Sequence, residues 1–230
     1  MYKGKTVLIT GTSKGVGQML ESYFANNGAR VVGVGFGDGV NWEDYYDCDL
    51  SDPKQIIDVF KEINADVRSI DILINNAAVL TSQYAMKMKE DDAYSMLMVD
   101  LFAPFLVARE SAKLMDKGGR IINISSMAVA LEPMGDSMYA ACKAGLNKMS
   151  NIMAKEFAGF GITVNTLAIS AIETDMLRQL NREKIDKVVA GLPIPRYATI
   201  DYITNVIDFF CSPKSDCITA QTIYLGGIHN

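Results

Sequence analysis

Tyr139 and Lys143 are the residues whose types and spacing point most directly to chemistry. Of the chain's ten tyrosines, only Tyr139 is followed by a lysine four positions on. On a helix that separation stacks the two side chains on one face. An ammonium beside a phenol favours the phenol's charged form, which should bring a group that ordinarily ionises near about pH 10 towards neutrality. A tyrosine placed in this way is a usable acid or base near neutral pH. Ser126 comes thirteen residues earlier, at the C-terminal end of a strand-like run, where open α/β sheets place their ligand sites. Each of the three taken alone is equally a surface tyrosine, a solvated lysine or a strand-end serine. Their order along the chain gives them weight.

The single histidine, His229, is the penultimate residue. That excludes a Ser-His-Asp triad and argues against a His-rich metal site, so no metal is expected. A general acid must then come from Tyr, Lys, Asp or Glu. The four cysteines (Cys48, Cys142, Cys211, Cys217) show no C-x-x-C spacing and read as reduced thiols. A net charge of −5 argues against a nucleic-acid partner. No apolar run reaches the roughly 18 residues of a membrane span. The N-terminus runs into a strand-like segment without a signal-peptide pattern, so the expected location is cytoplasmic.

The elements that must position these residues are legible in the same way. The 230 residues, 49% hydrophobic and 21% charged, suit one α/β domain. Short β-branched runs at 6–10, 30–34, 70–75, 120–125, 162–168 and 222–225, with a weaker one at 45–48, alternate with segments of helical period. They lack strict polar alternation, as expected for parallel strands covered on both faces. Residues 91–115, 137–157 and 199–211 read as helices, and Pro53 fits the first turn of another beginning after Asp52. Residues 33–39 are too glycine-rich for a helix and read as a short loop.

Between the first strand and the first helix lies the run Thr10, Gly11, Thr12, Ser13, Lys14, Gly15, Val16, Gly17. Glycines there permit a tight turn and close backbone approach, and the following helix N-terminus offers free N–H groups to a pyrophosphate.

This run resembles the phosphate loop of the short-chain dehydrogenase/reductase family, and further landmarks follow in order. Asp49-Leu50 resembles the family's adenine contact, and Asn75-Asn76-Ala77-Ala78 resembles its N-N-A-G. Asn123-Ile124-Ser125-Ser126 is followed by Tyr139 and Lys143. Val164 to Ala168 and Ile172-Glu173-Thr174-Asp175-Met176 resemble the segment that closes over the nicotinamide. Gly191-Leu192-Pro193 to Arg196 and Gly226-Gly227 complete the pattern. The 3-oxoacyl-carrier-protein reductase type looks nearest. The resemblance implies a Rossmann-type doubly wound parallel sheet of about seven strands in the order 3-2-1-4-5-6-7. It implies a single domain over 1–230, with a substrate lid at about 173–193.

The same resemblance implies an NAD(P)-dependent carbonyl reductase or alcohol dehydrogenase acting on a small-molecule substrate, and a homotetramer or homodimer built on the helices at 91–115 and 137–157. Ser126 would orient the substrate carbonyl, Tyr139 move the proton, and Lys143 also hold the nicotinamide ribose. Gly11, Thr12, Ser13, Lys14, Gly15, Val16, Gly17, Phe36, Asp49, Leu50, Asn76, Ala77, Ile172 and Thr174 would contact the cofactor, together with Tyr139 and Lys143. NADP(H) is favoured over NAD(H), because Gly35 and Phe36 stand where NAD enzymes place an acidic residue and Lys14 can pair with a 2′-phosphate. Asp38 is the acidic residue that could still reach the ribose.

Three positions depart from the family pattern. Asp100, counted with the catalytic set, replaces an Asn that holds a water in the proton relay. Ile169-Ser170 replaces a Pro-Gly pair, and Ala78 ends the N-N-A-G motif. An ionised Asp accepts hydrogen bonds but cannot donate one, and beside Lys143 it would hold the lysine more firmly charged. These departures motivate an alternative reading, a weakly active or non-catalytic NADP(H)-binding regulatory or partner subunit. Arg178 and Arg182, read as sharing a helical face, form either a solvated helix face, the favoured reading, or contacts for an anionic substrate. Met127, Met134, Met138 and Met176 come from segments expected near the pocket, where they either adapt to irregular apolar ligands or pack into the core.

Overall fold

In the computed structural model, which describes residues 1–37, 44–178 and 180–228, seven short strands alternate with helices. The strands are β1 (Thr6–Thr10), β2 (Arg30–Gly35), β3 (Tyr45–Asp47), β4 (Ile72–Asn75), β5 (Arg120–Ser126), β6 (Thr163–Ile169) and β7 (Thr222–Tyr224). All pair in parallel in one sheet, ordered β3-β2-β1-β4-β5-β6-β7. This is the doubly wound sheet that the resemblance implies. Its order reverses between β1 and β4, which opens a crevice at the C-terminal ends of those strands.

Each strand sends alternate residues to opposite faces, and both faces are apolar. Leu8, Val32, Leu73, Ile121 and Val164 point to the side covered by α2 (Pro53–Asp66), α4 (Ala103–Lys113) and α6 (Ser137–Phe157). Val7, Ile9, Ile74, Ile122, Ile124 and Leu167 point to the side covered by α1 (Gly15–Asn26) and α9 (Ile200–Cys211). Helices on both faces remove the need for polar alternation, which is why the strands read as continuous apolar runs. The first turn of α2 holds Pro53, and the Asp52 side chain accepts from the Lys54 N–H at 2.9 Å. The Tyr2 and Tyr23 hydroxyls donate to the two carboxylate oxygens of Asp208 at 2.6 and 2.7 Å, tying the N-terminal segment and α1 to α9.

The stretch read as one helix over 91–115 is interrupted. α3 (Glu90–Leu97) passes into a π-helical turn, Met98–Phe102, before α4 begins. Pro104 has no N–H to return to the Asp100 carbonyl, four residues back, so the regular ladder cannot continue there. The Ala103 N–H reaches back instead to Met98 O. An inserted turn of this kind reorients the side chains it contains, and Asp100 is one of them.

The glycine-rich stretch after the second strand is part strand, since β2 continues through Gly35. Asp38, Gly39 and His229 lie outside the described residues. Short helices complete the chain: α5 (Ala128–Leu131), α7 (Asp175–Arg178) and α8 (Arg182–Ala190). Among the described residues no helix is long and apolar enough to cross a membrane.

Candidate active site

The glycine loop is built by close approach. Gly11 has φ +73, and a Cβ there would stand 2.8 Å from Ala77 Cα, so only glycine lets the ends of β1 and β4 come this near. At Gly17 a Cβ would overlap the Gly11 carbonyl oxygen and lie 2.6 Å from Asn76 Nδ2, which fixes how tightly α1 packs on the loop. Asn76 Nδ2 donates to the Thr10 and Gly11 carbonyls at 3.0 and 3.2 Å. Thr10 Oγ1 accepts from the backbone N–H groups of Asn76 and Ala77. The first turn of α1 has no side-chain cap and no acidic residue, which leaves its N–H groups and positive dipole end to an anion.

A buried polar ladder sets the height of α6 against the sheet. Asn75 Nδ2 donates to Asn123 Oδ1 at 2.8 Å and to the Pro104 carbonyl. Asn123 Nδ2 donates to Ser150 Oγ at 2.7 Å, and Ser150 Oγ donates to the Leu146 carbonyl. With α6 so placed, Tyr139 and Lys143 face the C-terminal end of β5, where Ser126 is the last residue. Lys143 Nζ donates to the Ile124 carbonyl at 3.2 Å and sits 5.8 Å from the Tyr139 ring centroid. Its nearest charge is Asp100, whose Oδ1 is 3.3 Å away. Both members of this pair are buried, with side-chain exposures of 3% for Lys143 and 0% for Asp100.

The electrostatics differ from the sequence expectation in one respect. The Tyr139 phenol is pushed up, not down: burial dominates, the Lys143 ammonium opposes it, the Asp100 carboxylate adds to it, and the Ser126 hydroxyl favours the ionised form. Spacing alone shows the lysine but not the desolvation, which penalises a buried phenolate. Burial also raises the Asp100 carboxyl, to about 6, against the pull of Lys143. Lys143 is held charged, because Asp100 and Tyr139 together outweigh its own burial.

Ser126, Tyr139 and Lys143 border a cleft of about 840 Å³. Of the expected cofactor contacts, Gly11, Ser13, Lys14, Gly15, Val16, Phe36, Asp49, Leu50, Asn76, Ala77, Ile172 and Thr174 line it, with Ser126, Tyr139 and Lys143 along the same wall. Thr12, Gly17 and Asp100 do not reach it and stand behind the loop and the lysine. Thr12 Oγ1 is buried without a protein partner.

Met127, Leu131, Met134, Met176 and Leu177 add apolar surface to the cleft, beside the polar Asp175, Asn181 and Lys184. Met138 packs instead beside Tyr139 in a separate apolar cluster. Asp136, three residues before Tyr139, also lines the cleft. The spacing argument passes over it, because an Asp at a helix start reads as a cap, yet its side chain makes no capping bond here. Arg178 and Arg182 do not share a helix, since Asn181 caps α8 between them. Arg178 pairs with Asp175, and Arg182 with Glu173 and Asp186, so neither is an uncommitted anion contact.

A family model described as enoyl-(acyl carrier protein) reductase matches residues 11–229. The 3-oxoacyl-[acyl-carrier-protein] reductase of Salmonella typhimurium is 32% identical over 237 residues, covering 98% of this chain and 97% of its own. That of Vibrio cholerae is 33% identical over 236 residues with the same coverage. Among solved structures, a short-chain dehydrogenase/reductase from Serratia marcescens superposes with a TM-score of 0.88 at 25% identity over 98% of both chains. BdcA, solved in complex with NADPH, superposes with a TM-score of 0.87 at 26% identity over 98% of this chain and 94% of its own.

Proposed function

The chain belongs to the short-chain dehydrogenase/reductase family, in its 3-oxoacyl-[acyl-carrier-protein] reductase type, and from that premise we propose that it is an NADP(H)-dependent carbonyl reductase whose proton passes through Tyr139. At the coarser level it is an NAD(P)-dependent oxidoreductase. The observation that carries the finer reading is the convergence of Ser126, Tyr139 and Lys143 on the wall of a cleft whose other end is the glycine loop.

The residues present fit a nicotinamide dinucleotide. Positive φ at Gly11 and Gly15 and the uncapped first turn of α1 suit a pyrophosphate. Phe36 and Leu50 give apolar edges to the end of the cleft where an adenine would lie. Lys14 is exposed at the rim, and neither Gly35 nor Phe36 carries a carboxylate, which favours a 2′-phosphate over a bare ribose. When bound, the reduced nicotinamide supplies the hydride. Ser126 Oγ orients the carbonyl oxygen, the Tyr139 hydroxyl gives that oxygen its proton, and Lys143 holds the ribose and balances charge at the phenol. The apolar side chains of Met127, Leu131, Met176 and Leu177 receive the remainder of the substrate.

The test is Tyr139→Phe assayed on a panel of carbonyl compounds beginning with 3-oxoacyl thioesters. Turnover falls by about three orders of magnitude or more if the phenol is the proton donor, while NADPH affinity stays within a fewfold of wild type. Unchanged turnover overturns the assignment.

A further inference from the structure

The Lys143 ammonium serves two acidic groups. Asp100 Oδ1 stands 3.3 Å from Nζ, and the Tyr139 ring centroid is 5.8 Å away. The carboxylate is fully buried, accepts from the Val79 N–H at 3.3 Å through the same Oδ1, and leaves Oδ2 buried without a partner. In this dry setting a carboxylate and an ammonium in contact form a pair of nearly zero net charge. The phenol therefore feels a weakened positive field. A neutral amide at position 100 would leave that field whole.

We infer that Asp100 sets the pH at which the Tyr139 phenolate forms, by neutralising Lys143, so that the phenol stays protonated through neutral pH and accepts an alcohol proton only in alkaline solution. The inference rests on the assignment of Tyr139 as the proton-transferring group. In reduction, a hydride from the reduced nicotinamide forms the new C–H bond, the carbonyl π pair moves to oxygen, and that oxygen takes the Tyr139 proton to leave a phenolate. In oxidation the phenolate must exist beforehand, to accept the alcohol proton as hydride departs to the oxidised nicotinamide. A carboxylate beside Lys143 reserves that state for alkaline pH, and Asp100 thereby acts as a positioning residue for charge, reaching the substrate only through Lys143 and Tyr139.

The groups that bear on the phenol are Lys143 and Asp136 from its own helix region, Asp100 from the π-helical turn and Ser126 from β5. Those bearing on Asp100 are Lys143 and the Val79 N–H, with Tyr139 and Cys142 on the same helix as the lysine. Two of the three charges around the phenol are thus negative. The direction of the Tyr139 shift, upward, agrees with this arrangement.

The test is a tyrosinate absorbance titration of the cofactor-free protein and of Asp100→Asn, each differenced against the matching Tyr139→Phe chain. Tyr139 should ionise at least about one pH unit lower in Asp100→Asn, which is about tenfold more phenolate at a given pH. The alkaline limb of alcohol oxidation should move down by the same interval. Asp100→Ser, equally uncharged, gives the same shift if the amide variant does not fold. An unmoved midpoint, or no Tyr139 transition in any of these chains, overturns the inference. Absence of turnover in every chain with the midpoint shifted as stated would instead remove the proposed reaction and leave the electrostatic claim standing.

Discussion

Removing one member of the Asp100–Lys143 pair should destabilise the protein unequally, and the inequality follows from which charge can escape. In Asp100→Leu the ammonium keeps only the Ile124 carbonyl. Breaking a buried pair in this way costs about 3–5 kcal/mol. The ceiling is the work of deprotonating a lysine of ordinary pKa 10.5 at pH 7, about 5 kcal/mol. In Lys143→Met the stranded carboxylate has an easier exit. Burial already raises its pKa to about 6 against the lysine's pull, and taking up a proton from the ordinary value of 3.8 costs at most about 4.4 kcal/mol at pH 7 and about 3 kcal/mol at pH 6. The double variant Asp100→Leu/Lys143→Met, with neither charge, should lie within about 1.5 kcal/mol of wild type. Urea unfolding of all four chains at pH 7 and pH 6 measures these differences. Equal losses in the two single variants at pH 6, a Lys143→Met deficit that does not shrink from pH 7 to pH 6, or a double variant carrying the sum of the single losses would each refute the reasoning.

Other consequences are open to measurement. The folded pKa of Asp100 lies above its ordinary value of 3.8, so the stability it contributes is fully present below pH 3.8 and lost as pH rises through about 6. Relative to Asp100→Asn, the wild type should therefore gain about 2.4 kcal/mol between pH 7 and pH 4, read from unfolding midpoints across that range. Gly17→Ala should press α1 away from Gly11 and Asn76, lowering stability by about 1–3 kcal/mol and weakening NADPH binding by at least about tenfold in a fluorescence titration. Lys14→Ala should weaken NADPH by about tenfold and leave NADH nearly unchanged in the same titration, since only the 2′-phosphate distinguishes them.

Much of this molecule is legible in its sequence because its decisive features are local. β-branched runs mark the strands to within one or two residues, Gly11 and Gly17 sit where backbone approach admits nothing larger, and Gly15 takes a positive φ. The four-residue separation of Tyr139 and Lys143 does place them together on α6. What local pattern hides is what burial and neighbouring elements impose. The apolar period of residues 91–115 runs smoothly through the π-helical turn, and Pro104 alone hints that the ladder fails at Asp100. The spacing of Tyr139 and Lys143 predicts a lowered phenol pKa, whereas desolvation and a carboxylate from another element reverse the sign. The arginines at 178 and 182 read as one face because the Asn181 cap between them looks like any polar helix residue.

The central claim is that the cleft reduces a carbonyl with a nicotinamide hydride and the Tyr139 proton. The most direct measurement uses NADPH carrying deuterium at the transferred position of the ring, a carbonyl substrate and analysis of the alcohol formed. Deuterium on the former carbonyl carbon with the wild-type chain, and no alcohol with Tyr139→Phe, is the predicted result. Alcohol formed without deuterium, or formed equally well without the Tyr139 hydroxyl, would contradict it.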